Sequence, residues 1–134
     1  MDIMAHSLQV KQLLTQKEQL QKQLQKLEQI LLSEIGKEFM EDYATVLKEN
    51  DISLPSYFSL SFSEEYNDEG GTDTYLEDVY FYDVHKKVMN IDVEVEFDDD
   101  TEEFSYAFRE TIYEHFDIDE LDRVIDESDK ISLI

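Results

Sequence analysis

The chain has 134 residues, with 34 Asp and Glu against 11 Lys and Arg, a formal net charge of −23. A field of that sign opposes direct binding to nucleic acid or to an anionic membrane and steers basic surfaces toward the molecule. Hydrophobic content of 41% with eight Tyr and eight Phe argues against an acidic disordered tail, and the lack of cysteine removes disulfides, thiolate zinc sites and thiol chemistry.

The charge divides the chain in two. Residues 1–50 hold 8 acids against 6 lysines, whereas residues 51–134 hold 26 acids against Lys86, Lys87, Arg109, Arg123 and Lys130. The expected organisation is an N-terminal helical oligomerisation segment over residues 1–50 and a strongly acidic domain over residues 51–134. No apolar run approaches ~18 residues, and neither a charged-then-apolar leader nor a lipidation signal is evident, so a soluble cytoplasmic protein is expected.

From about Met4 to Asn50 there is no proline and a single glycine among Leu, Gln, Lys and Glu, which favours helix throughout. Val10, Leu24 and Leu31 share one heptad position, interrupted by Lys17, and Leu13, Leu20 and Leu27 share the position three residues on. A two-sided seam of this kind is the pattern of a coiled coil. After Leu31 a four-residue step leads to Ile35, Phe39, Tyr43 and Val46 or Leu47, a stutter. An unbroken helix would span roughly 70 Å, too long to lie wholly on the other 84 residues. Either two copies pair through Val10, Leu13, Leu20, Leu24, Leu27 and Leu31, or the chain breaks near Ser33–Gly36 into a hairpin. A homodimer is the preferred expectation, and a partner-binding helix presenting its Gln and Lys face is the alternative role.

Asn50-Asp51 ends this helix and Pro55 opens a β region. Phe58, Leu60 and Phe62 alternate with serines as in a half-buried strand. The cluster Asn67–Asp73 is a turn, residues 75–84 a second strand, and His85-Lys86-Lys87 a hairpin tip. A third strand is expected with Met89, Ile91, Val93, Val95 and Phe97 on one face and Asn90, Asp92, Glu94 and Glu96 on the other. Asp98-Asp99-Asp100 then leads into a helix from about Glu102 to Phe116, with Phe104, Phe108, Ile112 and Phe116 at four-residue intervals. Asp117 with Glu120 forms a capping arrangement for a last helix through about Ser128. The fold class is therefore α+β, a long coiled-coil-like helix followed by a small antiparallel sheet of about three strands covered by two C-terminal helices.

Asp92, Glu94, Glu96 and Asp98 recur every second residue, ~6.6–6.8 Å apart on a strand. Successive phosphates of one DNA strand advance ~3.4 Å along the axis while winding around it, which places neighbours on the order of twice that distance apart. Asp99, Asp100 and Glu102 continue the array, Glu103, Glu110 and Glu114 form one helical stripe, and Asp119, Asp122, Asp126 and Asp129 another. Crowding so many like charges costs stability that a purely solubilising surface would avoid by interspersing lysines. Tyr80 and Tyr82 add apolar area with a hydrogen-bonding tip, a useful interface anchor beside acids.

Catalytic and metal chemistry find little support. No Gly-x-Ser-x-Gly elbow or nucleotide-binding glycine loop is present. His6, His85 and His115 are scattered over an N-terminus, a hairpin tip and a helix end. Asp68–Asp78 and Asp98–Glu103 are oxygen-rich, but aligning Gly70 as the sixth residue of an EF-hand loop puts Leu76 where the bidentate Glu belongs. No enzyme activity, cofactor or metal is expected.

In composition and size, residues 51–134 resemble the acidic DNA-mimic proteins that phages deploy against restriction, CRISPR or repair systems, without sharing a motif with any of them. The resemblance implies a non-catalytic inhibitor that occupies the basic groove of a DNA- or RNA-binding enzyme, the partner being that basic protein. An acidic immunity protein that neutralises a basic toxin such as a nuclease is the alternative, and a coiled-coil adaptor with a solvated acidic domain is a third reading.

Overall fold

A computed structural model describes residues 3–134, with side chains from Ser7 onward, so the side chain of His6 lies outside the described residues. One unbroken helix, α1 (Ile3–Glu49), leads into an α+β body. The hairpin alternative at Ser33–Gly36 therefore does not occur. The helix stops where Asp51 adopts a left-handed backbone, φ 55°, and the Ile52 N–H returns to the Leu47 carbonyl.

The body is built on a four-stranded antiparallel sheet in the order β3-β2-β1-β6, formed by β1 (Tyr57–Tyr66), β2 (Thr72–Tyr82), β3 (Val88–Met89) and β6 (Ile131–Ser132). The β1–β2 turn is held by Asn67, whose side-chain oxygen accepts from the N–H groups of Glu69 and Gly71, with Gly70 at φ 83°. Asp83 closes the β2–β3 turn by accepting from the N–H groups of His85 and Lys87, which places the expected tip there. Between Ser61 and Phe62 the register shifts, leaving Glu77 as an extra residue in β2. Helix α2 (Phe104–His115) covers this bulge: the Tyr113 hydroxyl accepts from Leu76 N–H, and Arg109 donates to the Glu77 carbonyl.

The expected third strand is divided. Val88 and Met89 pair with Tyr82 and Phe81, but residues 90–93 leave the sheet, and β4 (Glu94–Phe97) forms a separate hairpin with β5 (Asp100–Glu103). Asp98 and Asp99, both at positive φ, 49° and 67°, make the two-residue turn, the conformation that matches the strand twist of a tight hairpin. Apolar alternation survives the division, since Ile91, Val93, Val95 and Phe97 all pack on the core. Two helices follow, α2 (Phe104–His115) and α3 (Ile118–Val124). The first starts two residues later than expected because Glu102 and Glu103 belong to β5. Asp117 caps α3 by accepting from Glu120 N–H, as its sequence foretold. Because α3 ends at Val124, Asp126 and Asp129 lie beyond it in a turn and do not continue its acidic stripe.

Helix α1 joins this body through its second half only. Leu32, Phe39, Met40 and Leu47 are buried in the common core; of the expected series after Leu31, Phe39, Tyr43, Val46 and Leu47 pack on it, whereas Ile35 is only half-buried at its edge. Phe39 meets Phe104 and Phe108, which in turn meet Phe58 and Phe81, in tilted and edge-to-face contacts with centroids 4.9–5.3 Å apart. Gly36 sets the approach distance, since a Cβ there would stand 2.6 Å from a Leu133 methyl and 3.0 Å from the Phe58 ring. A mid-helix glycine costs about 1 kcal/mol relative to alanine, and here that cost is offset by close packing. Gly36→Val is expected to destabilise the fold by about 1–3 kcal/mol through overpacking, read as a lower urea midpoint at unchanged slope.

Candidate functional site: an acidic hairpin and its groove

The outward face of the β4–β5 hairpin carries Glu94 directly opposite Glu103 and Glu96 opposite Thr101, all exposed. A like-charge pair in direct cross-strand register is unfavourable, because the two Cβ atoms stand only ~4.5–5.5 Å apart. Asp98, Asp99 and Asp100 crowd the tip, and exposed Asp92 precedes β4. Glu102 turns toward the body beside Val95 and is half-buried. The evenly spaced array expected along one strand is thus reshaped into a compact acidic lobe.

Residues from α1 and α2 enlarge this lobe. Glu38 and Asp42 of α1 and Glu114 and His115 of α2 line a shallow groove of about 230 Å³ whose apolar lining includes Ile35 and Phe97. Tyr43 fastens the hairpin to α1, its hydroxyl donating to the Glu96 carbonyl at 2.9 Å. Burial and then the charges of Asp42 and Asp98 hold the Tyr43 phenol above its ordinary range. His115 donates from Nδ1 to the Thr111 carbonyl at 2.9 Å, within its own helix. Glu38 and Asp42 escaped sequence reasoning, although their four-residue interval on α1 was available as a signal, and Tyr43 was marked only by its place in the apolar series.

The remaining candidates lie elsewhere. Glu110 is half-buried on α2, and Asp119 and Asp122 lie on α3, exposed and half-buried respectively. Asp126 caps its own turn, accepting from Ser128 N–H and Oγ. Tyr80 and Tyr82 do not join the hairpin. They stand on the sheet face opposite the helices, where Tyr82 shares a 2.8 Å hydrogen bond with Ser59 and Ser61 Oγ donates to Glu127 at 2.6 Å. These contacts bury Ser59 to 1% exposure on a face expected to be open. Tyr80 stays 41% exposed, its phenol raised by Asp78 first, then by burial and by Glu127 and Glu77.

The few cations of the body do little to neutralise it. Lys86 lies over the Tyr57 ring, Arg109 over Tyr106 and Lys130 over Tyr82, at 5.0–5.4 Å from the centroids. Among the described residues the one ion pair within 4 Å is Lys37–Glu34 on α1. Three of the five bases of residues 51–134 therefore sit on aromatic rings, and no carboxylate of the hairpin has a cation against it. Among the described residues no group of three or more His, Asp or Glu side chains is placed to hold a metal ion, and no helix is long and apolar enough to cross a membrane.

No protein-family model matches this chain, and neither does any curated protein or any solved structure.

Titration follows from this charge pattern. Glu28 on α1 is raised by burial and by the charge of Glu120. Its folded form binds a proton at higher pH than the unfolded chain, so stability rises as pH falls through the raised value and levels off below the ordinary 4.5. Asp83 and Asp126 act in the opposite sense. Backbone N–H groups, Lys87 foremost for Asp83 and Ser128 for Asp126, hold their carboxyls below 3.8. The stability they contribute is present above 3.8 and is lost as pH falls toward the lowered values. The melting temperature is expected to climb from neutral pH toward 4.5, to fall below 3.8, and to rise with salt at neutral pH through screening. A profile flat in both pH and salt would contradict the crowded-charge account.

Proposed function

We propose that the chain is a non-catalytic inhibitor that imitates nucleic acid, offering its acidic body to the basic groove of a DNA- or RNA-binding enzyme. The observation that carries this reading is the Glu94–Glu103 pair, two like charges in register with no cation beside them. A basic partner relieves that repulsion on binding, whereas in the free protein it is only a cost. Among the described residues of 51–134 no base is ion-paired, which supports the reading further, because a surface selected for solubility alone gains from mixed signs. The tip aspartates and the Glu38–Asp42–Glu114 groove widen the footprint beyond a single strand, as a surface tracking a phosphate backbone requires.

A specific observation favours a second reading. Exposed Tyr80, flanked by Asp78 and Glu127, has the form of an aromatic anchor ringed by acids, as an immunity protein against a basic toxin would use.

One substitution gives two opposed readouts. Glu94→Lys places a cation opposite Glu103 and is expected to stabilise the free protein by about 0.2–1 kcal/mol while weakening capture of basic nucleic-acid enzymes on the immobilised chain at low salt. Captured enzyme is expected to be released by duplex DNA or RNA. Retention of a single partner that nucleic acid does not displace, insensitive to Glu94→Lys but lost with Tyr80→Ala, would overturn mimicry in favour of the second reading.

A further inference from the structure

The first half of α1 carries its leucines, the half-buried Leu24 apart, on a face the body does not use. At about 100° per residue, the docked residues Leu32, Gly36, Phe39, Met40, Tyr43 and Leu47 share one side of the helix, and the seam from Val10 to Leu31 is centred about 130° away from it. Toward the body the arm turns Glu18, Gln21, Lys22 and Gln25, with Leu24 at the edge of this side, and these face Asp117, Glu120 and Arg123 across a wide groove. Leu13, Leu20 and Leu27 are left 58%, 64% and 53% exposed in a single line. A helical arm without tertiary packing is marginal in water, and a leucine stripe at heptad spacing acquires packing from a matching stripe.

We propose that a second copy of this chain docks on that stripe in antiparallel orientation, with Leu13 against Leu31 and Leu20 against Leu24 of the second copy. Two charge relations set the direction. In a parallel, in-register pair Lys17 meets Lys17 of the second copy within the seam. In the antiparallel pair it lies over Leu27 of the second copy, with its ammonium beside Glu28 of that copy. Glu28 has no ion-pair partner among the described residues, and the burial and Glu120 charge that raise it also favour an added cation. The bodies supply the second relation. Antiparallel pairing separates the two Leu32 positions by roughly 30 Å along the axis, three or more Debye lengths at about 0.1 M salt. Parallel pairing sets both acidic bodies at the same end. The pairing stands whatever the acidic body binds.

Light scattering of the full chain is expected to give twice the 15.9 kDa chain mass, and Leu20→Glu with Leu27→Glu is expected to give a monomer whose near-ultraviolet circular dichroism is unchanged. Since the chain has no cysteine, oxidative cross-linking reads the direction. Leu20→Cys alone is expected to stay uncross-linked, and a mixture of Leu20→Cys with Leu24→Cys to form a covalent pair. A monomeric wild-type chain would overturn the proposal and assign the stripe to a partner of other chemistry. A disulfide formed by Leu20→Cys alone would overturn the antiparallel direction.

Discussion

Phe39 stands where the parts of the molecule meet. Its ring lies 4.6 Å from Tyr43, 5.3 Å from Phe104 and 5.0 Å from Phe108, centroid to centroid, so one side chain of α1 ties the helix to the start and the middle of α2. Tyr43 extends the same contact to the β4–β5 hairpin through Glu96, and Gly36 lets the helix come close enough for Leu133 and Phe58 to join it. Sheet, hairpin and C-terminal strand are all referenced to this stretch of helix. The remainder of α1 continues the same helix away from this contact.

That docking also makes the charge tolerable. Like charges at this density favour expansion, and the opposing force is an aromatic and aliphatic core in which no described buried side-chain polar atom lacks a hydrogen-bond partner. The core leaves the carboxylates where they repel one another most, at the hairpin and its tip, because the inner faces of those strands are committed to Val95 and Phe97. A surface held in a fixed, unneutralised arrangement would leave the proposed cationic partner little ordering entropy to overcome. If two such bodies stand at opposite ends of a paired arm, one assembly presents two of them to its target.

Much of this architecture was legible from residue patterns, and the exceptions share a physical cause. Period-two alternation from Met89 to Phe97 marks which side chains face the core, and those positions are packed inward. It does not encode which strand accepts the hydrogen bonds: residues 90–93 leave the sheet, and a turn of two aspartates at positive φ, a conformation usually given to glycine or asparagine, folds the segment after Phe97 back on itself so that β4 pairs with β5 instead. On α1 the spacing marked Phe39, Tyr43 and Leu47, which pack on the core, but not Gly36, the closest contact, which no apolar pattern registers. Strand β6 is too short to carry a period. For the candidate site, acidity and exposure were readable, but grouping was not: Tyr80 and Tyr82 belong to another face, while Glu38 and Asp42 reach the hairpin from some fifty residues upstream through the packing of Tyr43.

Helix α1 divides near Leu32 into a half that builds the body and an arm for which pairing with a second copy is proposed. Amide hydrogen exchange along α1, followed over a range of protein concentration, tests this directly. Residues 32–47 are expected to exchange with the body at every concentration, and residues 7–31 to gain protection as concentration rises. Uniform protection of the whole helix, independent of concentration, would contradict the division.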